Sequence, residues 1–287
     1  MLALLDWFHA VGVDAAVGDV SCDWLARGPT PPGAGYTWPD RDVAAPADER
    51  GTPSPRVATQ TPKQQSPGIT TRPRAATPLG ASEAAIGARR IAHQAQSLEA
   101  LEAALADFDG CGLKATATKL CFYRGAPKAD LMIVGEAPGR DEDLEGRPFV
   151  GRAGQLLDKM LAAINLGEAD VHITNIVYWR PPGNRTPTPQ EALACRPFLE
   201  RQIELVAPKF LVAVGGAAAK EVLGVTEGIM KLRGKWREVM IGDRKIPVIA
   251  TLHPAYLLRT PAAKQLAWQD LLQIRSRLGA EAGAPSG

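Results

Sequence analysis

From about residue 98 onward the chain alternates helical periodicity with short apolar runs. Leu98, Leu101, Leu105 and Phe108 recur at helical spacing and predict a helix ending near Asp107. Four apolar, partly β-branched runs follow, at 131–134, 171–177, 210–214 and 248–251. Near-continuous hydrophobicity over so few residues fits strands covered on both faces. Between the runs, 155–164 carries Leu156, Leu157, Met160, Leu161 and Ile164 on one helical face. Thr188, Pro189 and Glu191 supply an N-cap, a first-turn proline and an N3 carboxylate for a helix through Val206. A short alanine-rich helix at 217–223 and a closing helix at 262–277 complete the pattern. Strand alternating with helix predicts a three-layer α/β/α domain around a mainly parallel sheet.

The first third reads differently. Residues 1–26 suggest a short amphipathic helix and turn, with Leu4, Leu5, Phe8 and Val11 on one face. It is expected to pack or tether, with a partner-binding helix as the alternative. Residues 28–82 hold 11 of the 24 prolines with few apolar clusters, so too little surface can be buried to offset the ordering entropy. The expected organisation is an N-terminal element (1–27), a disordered linker (28–82), one α/β domain (83–280) and a flexible tail (281–287).

Charge narrows the function. With 33 Lys+Arg against 31 Asp+Glu the net charge is +2, which excludes a histone-like polycation and confines nucleic-acid contact to a local patch. No apolar run approaches the roughly 18 residues of a membrane span, and the N-terminus lacks the basic start and cleavage site of a leader. A soluble, cytoplasmic monomer is expected. Four scattered cysteines, at 22, 111, 121 and 195, form no secreted disulfide framework.

In parallel sheets ligands sit beyond the carboxyl ends of the strands. Directly after the four runs come Gly135-Glu136-Ala137-Pro138-Gly139, then Asn175 with Arg180-Pro181-Pro182-Gly183-Asn184-Arg185, then Gly215-Gly216, then His253-Pro254-Ala255-Tyr256. Each alone is an ordinary strand-to-helix turn, but four together carrying Glu, Asn and His point to a site. Neither GxGxxG nor GxxxxGK[ST] explains them.

The blocks GEAPGRDEDLEGRPFVGRAGQLLDKML, TNIVYWRPPGNRTPTPQEALACRPFL and TLHPAYLLR resemble, in that order, the motifs of the uracil-DNA glycosylase superfamily, most closely its family 4. The resemblance runs from about Phe108 to the last helix and implies hydrolysis of the N-glycosidic bond of uracil in DNA. It implies that Asn175 reads the base, that Phe149 stacks on it, that Ala137 lines it, and that His253 stabilises the leaving uracil anion. On residue type alone Asn175 fits a strand-end turn equally well, Phe149 a core position, and His253 a packed loop histidine. Glu136 is the candidate for handling water or opposing the cationic sugar. In the superfamily's best-known branch an aspartate stands where Ala137 stands here, and an aromatic ring that blocks the thymine methyl stands where Gly139 stands. The stretch 181–197 lacks the histidine of the superfamily's covalent DNA-trapping branch, so ordinary turnover is expected.

DNA contact is expected from 228–260, where seven basic residues face two acidic ones. Arg233, Lys235 and Arg259 are the phosphate candidates there. Tyr256 and Leu257, with Leu258, are candidates to wedge into the gap left by a flipped base. Family 4 also implies a 4Fe-4S cluster on four cysteines. Cys111 and Cys195 match two ligand positions, but Phe108 and Trp179 occupy the other two, so an intact cluster is not expected. Two other functions compete with excision. A non-catalytic nucleic-acid-binding module would not need Glu, Phe, Asn and His together, and a nucleoside hydrolase would leave the basic HPAYLLR region without a task.

Overall fold

The computed structural model describes residues 81–282. The expected N-terminal element, the linker before Ala81, Cys22 and residues 283–287 lie outside the described residues. Among those described, the strands are β1 (Arg124–Gly125), β2 (Leu131–Gly135), β3 (Val171–Asn175), β4 (Phe210–Val214), β5 (Trp236–Ile241) and β6 (Arg244–Thr251). They form one sheet in the order β1-β3-β2-β4-β6-β5. The inner four run parallel. The edge strands β1 and β5 are antiparallel to β3 and β6.

The helices, in chain order, are α1 (Ala81–Gln94), α2 (Leu98–Asp107), α3 (Arg140–Glu145), α4 (Arg152–Ala162), α5 (Pro189–Val206), α6 (Gly216–Leu223), α7 (Ile229–Leu232), α8 (Pro254–Arg259) and α9 (Lys264–Ala282). The period-2 alternation hidden inside each apolar strand sorts them into two layers. Met132, Val134, Leu211, Ala213, Val248 and Ala250 pack with α1, α2, α5 and α6. Leu131, Ile133, Phe210, Val212, Val214 and Ile249 pack with α4, α8 and α9. The result is the expected three-layer α/β/α fold. No described helix is long and apolar enough to cross a membrane.

The predicted start of α5 forms as its residues dictate. Thr188 Oγ1 accepts from Glu191 N, and Glu191 Oε2 accepts from Thr188 N at 2.7 Å. Other details depart from the pattern. Helix α1 was not predicted, because the residues it buries include Ala88 and Ala92, too small to mark an apolar stripe. Strand β5, at a half-exposed edge, escaped notice because Arg237 and Glu238 interrupt its apolar residues. The second apolar run stops being a strand at Asn175. Ile176 N bonds Gly135 O at 2.9 Å and the chain then leaves the sheet, so Ile176, Val177, Tyr178 and Trp179 are buried as loop.

One buried polar network crosses this layer. Gln202 Oε1 accepts from Tyr178 OH at 2.8 Å, so its amide nitrogen is the group facing His172 Nε2 at 3.0 Å. The His172 proton therefore sits on Nδ1 and is donated to Ala126 O at 2.7 Å. Protonating Nε2 would set donor against donor. Burial pushes the His172 pKa down from 6.5 to about 4, only partly offset by the Ala126 bond. Between these values the unfolded chain binds a proton that the fold refuses, so this contribution to stability is complete above about pH 6.5 and is lost as pH falls to about 4. Urea midpoints are expected to fall across that window, with His172→Gln removing part of the slope. Midpoints that stay constant from about pH 7 to about pH 5 would contradict it.

Candidate active site

Parallel pairing aligns the carboxyl ends of the inner strands, with Gly135 beside Asn175 and Val214 beside Thr251. The loops leaving that edge enclose a cleft of about 460 Å³ lined by Glu136, Ala137, Glu142, Phe149, Arg185 and His253 among others. Asn175, at the end of β3, is 1 % exposed and is not itself among the residues that line the cleft. A side chain at Gly135 would begin 2.4 Å from both Asn175 Oδ1 and Phe149 Cζ, which shows that ring and amide meet at one point. Phe149 holds a left-handed backbone (φ 56°), which folds its ring back over the strand end. The Phe149 and His253 rings are stacked with centroids 5.7 Å apart. The phenyl ring thus neighbours both the Asn175 amide and the His253 imidazole.

Two features give this cavity its chemistry. Asn175 Oδ1 is buried without a hydrogen-bond partner. Leaving such a group unmade costs about 1–3 kcal/mol, so a ligand donor would recover a loss already built into the fold. His253 is the N-cap of α8, and its Nδ1 accepts from Ala255 N at 3.1 Å. The proton of the neutral ring is then on Nε2. Desolvation, helped by the Arg259 charge, pushes His253 down to about 4. At neutral pH the ring is an uncharged, oriented Nε2–H donor.

Glu136 stands half-buried on the cleft wall. Glu142, which the motifs alone did not single out, joins two walls: its carboxylate accepts from Gly139 N at 3.0 Å and Gly151 N at 2.9 Å. The signal was present as an acidic N3 residue after a glycine N-cap. The 180–187 loop supplies another wall, with Arg185 held by a bidentate pair to Glu191 (2.6 and 2.8 Å).

The predicted DNA contacts divide. Tyr256 and Arg259 line the cleft and are exposed, and Lys235 is exposed. Arg233 is not a phosphate contact: its guanidinium turns inward to Asp270 (2.7 Å) and to Leu266 O. Leu257 is not a wedge: it is fully buried in the layer beneath α8, because an N-capped helix of one and a half turns puts one of its three apolar residues inside. Tyr256 and Leu258 keep the exposed positions. Of the remaining basic residues in that stretch, Arg237 pairs with Glu227, Lys245 with Glu238, and Arg244 donates to Pro208 O. Arg140 and Arg152, next in sequence to cleft residues, are exposed beside the mouth.

The corner that matches the family 4 cluster positions holds two cysteines, which do not fit a four-cysteine cluster. Cys111 and Cys195 are buried with sulfurs 3.8 Å apart. Burial and the neighbouring sulfur hold the Cys195 thiol well above its ordinary range. The other two positions are filled by apolar rings, Phe108 against Phe198 (centroids 5.0 Å) and the buried Trp179. Cys121 is elsewhere, donating to Glu142 O. Among the described residues no group of three or more His, Cys, Asp or Glu is placed to hold a metal.

Residues 122–272 match the Uracil DNA glycosylase superfamily, and the chain belongs to it. Within the superfamily it is a member of family 4. It is 42% identical over 173 residues to a type-4 uracil-DNA glycosylase of Archaeoglobus fulgidus, covering 59% of this chain and 87% of that one. It is 40% identical over 169 residues to the type-4 enzyme of Thermotoga maritima, covering 58% and 86%. A type-5 uracil-DNA glycosylase of Pyrobaculum aerophilum is 31% identical over 174 residues, covering 55% and 75%.

The close approach at Gly135 gives a test of the cavity. Gly135→Ala must displace the Phe149 ring or the Asn175 amide, and a shift of about 1 Å at a reacting centre costs on the order of 10²-fold in rate. A loss of that size in single-turnover base excision, with an unchanged far-UV spectrum, is expected. Wild-type rates would place the base elsewhere.

Proposed function

We propose that this chain removes uracil from DNA by hydrolysing its N-glycosidic bond, leaving an abasic site. The observation that carries this reading is the unpartnered, buried Asn175 Oδ1 next to the Phe149 ring, which lines a cleft together with His253 and its Nε2–H donor. A base inside a duplex is out of reach, so the nucleotide is flipped into the cleft. Asn175 Oδ1 accepts from uracil N3–H while its amide nitrogen donates to O4. Cytosine offers an acceptor and a donor at the same two places and is refused. Phe149 supplies stacking, worth about 1–3 kcal/mol for any base, and so affinity more than selectivity.

Bond breaking leaves negative charge on the uracil and positive charge on the sugar. His253 donates through Nε2 to the oxygen where the negative charge collects. A donor already fixed in place by the Ala255 bond needs no reorganisation at that moment. The Glu136 carboxylate opposes the cationic sugar and orients the attacking water. Water's hydroxyl joins C1′ and its proton ends on the departed base. Arg259, Lys235 and the arginines at the mouth engage the phosphates, and Tyr256 and Leu258 fill the space the base leaves. A binding module without chemistry would not require Glu136, Phe149, Asn175 and His253 around one cleft.

The test is a single-uracil oligonucleotide followed by alkali. Strand cleavage is expected, and Asn175→Ala and His253→Ala are each expected to lose at least about 10²-fold with the fold intact, the scale of removing a preorganised donor. Because His253 stays neutral down to about 4, its contribution should show no inflection between about pH 5 and pH 8. If both variants cut as fast as wild type, the site assignment fails.

We further propose that the corner around Cys111 folds on aromatic packing and binds no four-iron cluster. Protein purified without oxygen should be colourless and hold far less than the about four irons per chain that a full cluster needs. A brown protein with stoichiometric iron would overturn this.

A further inference from the structure

The end of β6 is tied to the last helix by a buried network that touches no part of the cleft lining. Thr251 Oγ1 donates to Asp270 Oδ2 at 2.7 Å. Asp270, on α9, is fully buried, and Arg233 meets its two oxygens through Nη2 at 2.7 Å and Nε at 3.2 Å. Arg233 also donates to Leu266 O on the same helix, and its own backbone bridges to Ala250. Gly234 N donates to Ala250 O at 3.0 Å, and Thr251 O accepts from Gly215 N at 2.9 Å. Two residues beyond Thr251 stands His253. On its other side lies Gly215, in a left-handed turn (φ +95°), where an added Cβ would sit 3.1 Å from His253 Cβ. The imidazole therefore leaves a strand end clamped from α9 on one side and closed against the Gly215 turn on the other.

We propose that Thr251 and Asp270 are positioning residues for His253: the hydroxyl-to-carboxylate bond, backed by Arg233, fixes the strand end from which the imidazole donates to the leaving base. The proposal rests on His253 being the donor described above. Nothing in the network reaches the substrate, so its effect on chemistry must pass through that ring. The geometry also explains why the one arginine of the basic stretch that lies nearest this strand end is turned inward. Its charge, with the Thr251 bond, partly offsets the burial that raises the Asp270 pKa.

The test is a double-mutant cycle read by single-turnover excision of uracil. Thr251→Val keeps the shape and removes the hydroxyl. It is expected to slow excision by about tenfold or more, below the on the order of 10²-fold cost of a 1 Å misplacement, with the oligonucleotide KM unchanged. In a His253→Ala background the same change is expected to cost less than about twofold, because the side chain it positions is gone. Thr251→Ser, which restores the hydroxyl, is expected to return to within about twofold of wild type. Asp270→Asn, which keeps the volume and one acceptor, runs the same cycle should the valine variant not fold. Equal slowing in both backgrounds would assign the network to general stability and overturn the proposal. Thr251→Val at the wild-type rate, with His253→Ala slow, would overturn the positioning and leave the His253 role standing. His253→Ala at the wild-type rate would remove the role itself.

Discussion

The parallel register of the inner strands is the constraint on which the rest depends. Pairing Gly135 with Asn175 and Val214 with Thr251 ends neighbouring strands at one level, so the loops that leave them open onto one edge. A one-residue slip of β3 against β2 would turn Asn175 away from Phe149 to the opposite face of the sheet, since side chains alternate across it. The slip is prevented by apolar packing on both faces, with Leu131 and Ile133 committed to one layer and Met132 and Val134 to the other. Stability of the core and accuracy of the site are in this sense one property.

The site keeps unmet demand where a substrate can meet it. Asn175 Oδ1 lacks a partner while the backbone around it is satisfied, Ile176 N by Gly135 O among others. His253 is held neutral, with one nitrogen fixed by the helix it caps and the other left to donate. His172, equally depressed, has both nitrogens engaged and contributes only to the fold. The two histidines differ in surroundings, not in ionisation, and only the one with a free donor at a cavity has chemistry to offer.

The family 4 corner shows the same economy of means turned to packing. With Phe108 and Trp179 at two ligand positions, two sulfurs remain at 3.8 Å, and the volume is filled by rings that bury against α5. Apolar contact joins the segment after α2 to the loop after β3. The cleft takes a wall from residues 181–186 of that same loop, but none of Phe108, Cys111, Trp179 and Cys195 lines it.

The sequence by itself determined the four inner strands, their order along the chain and the residue types after each one, because apolar runs, caps and loop motifs are local and survive without neighbours. Glu136, Asn175 and His253 stand in those loops, whereas Phe149 was singled out only through the family resemblance. What lies across the chain was not. That Arg233 faces Asp270 and not solvent, that Leu257 is core while Tyr256 is open, and that Glu142 pins two loops follow from which surfaces meet. Charge density along a chain does not say which side chains point inward, and helix α1 escaped notice because alanine marks no stripe. Tertiary structure alone decided these, since burial and pairing are made between residues far apart in sequence.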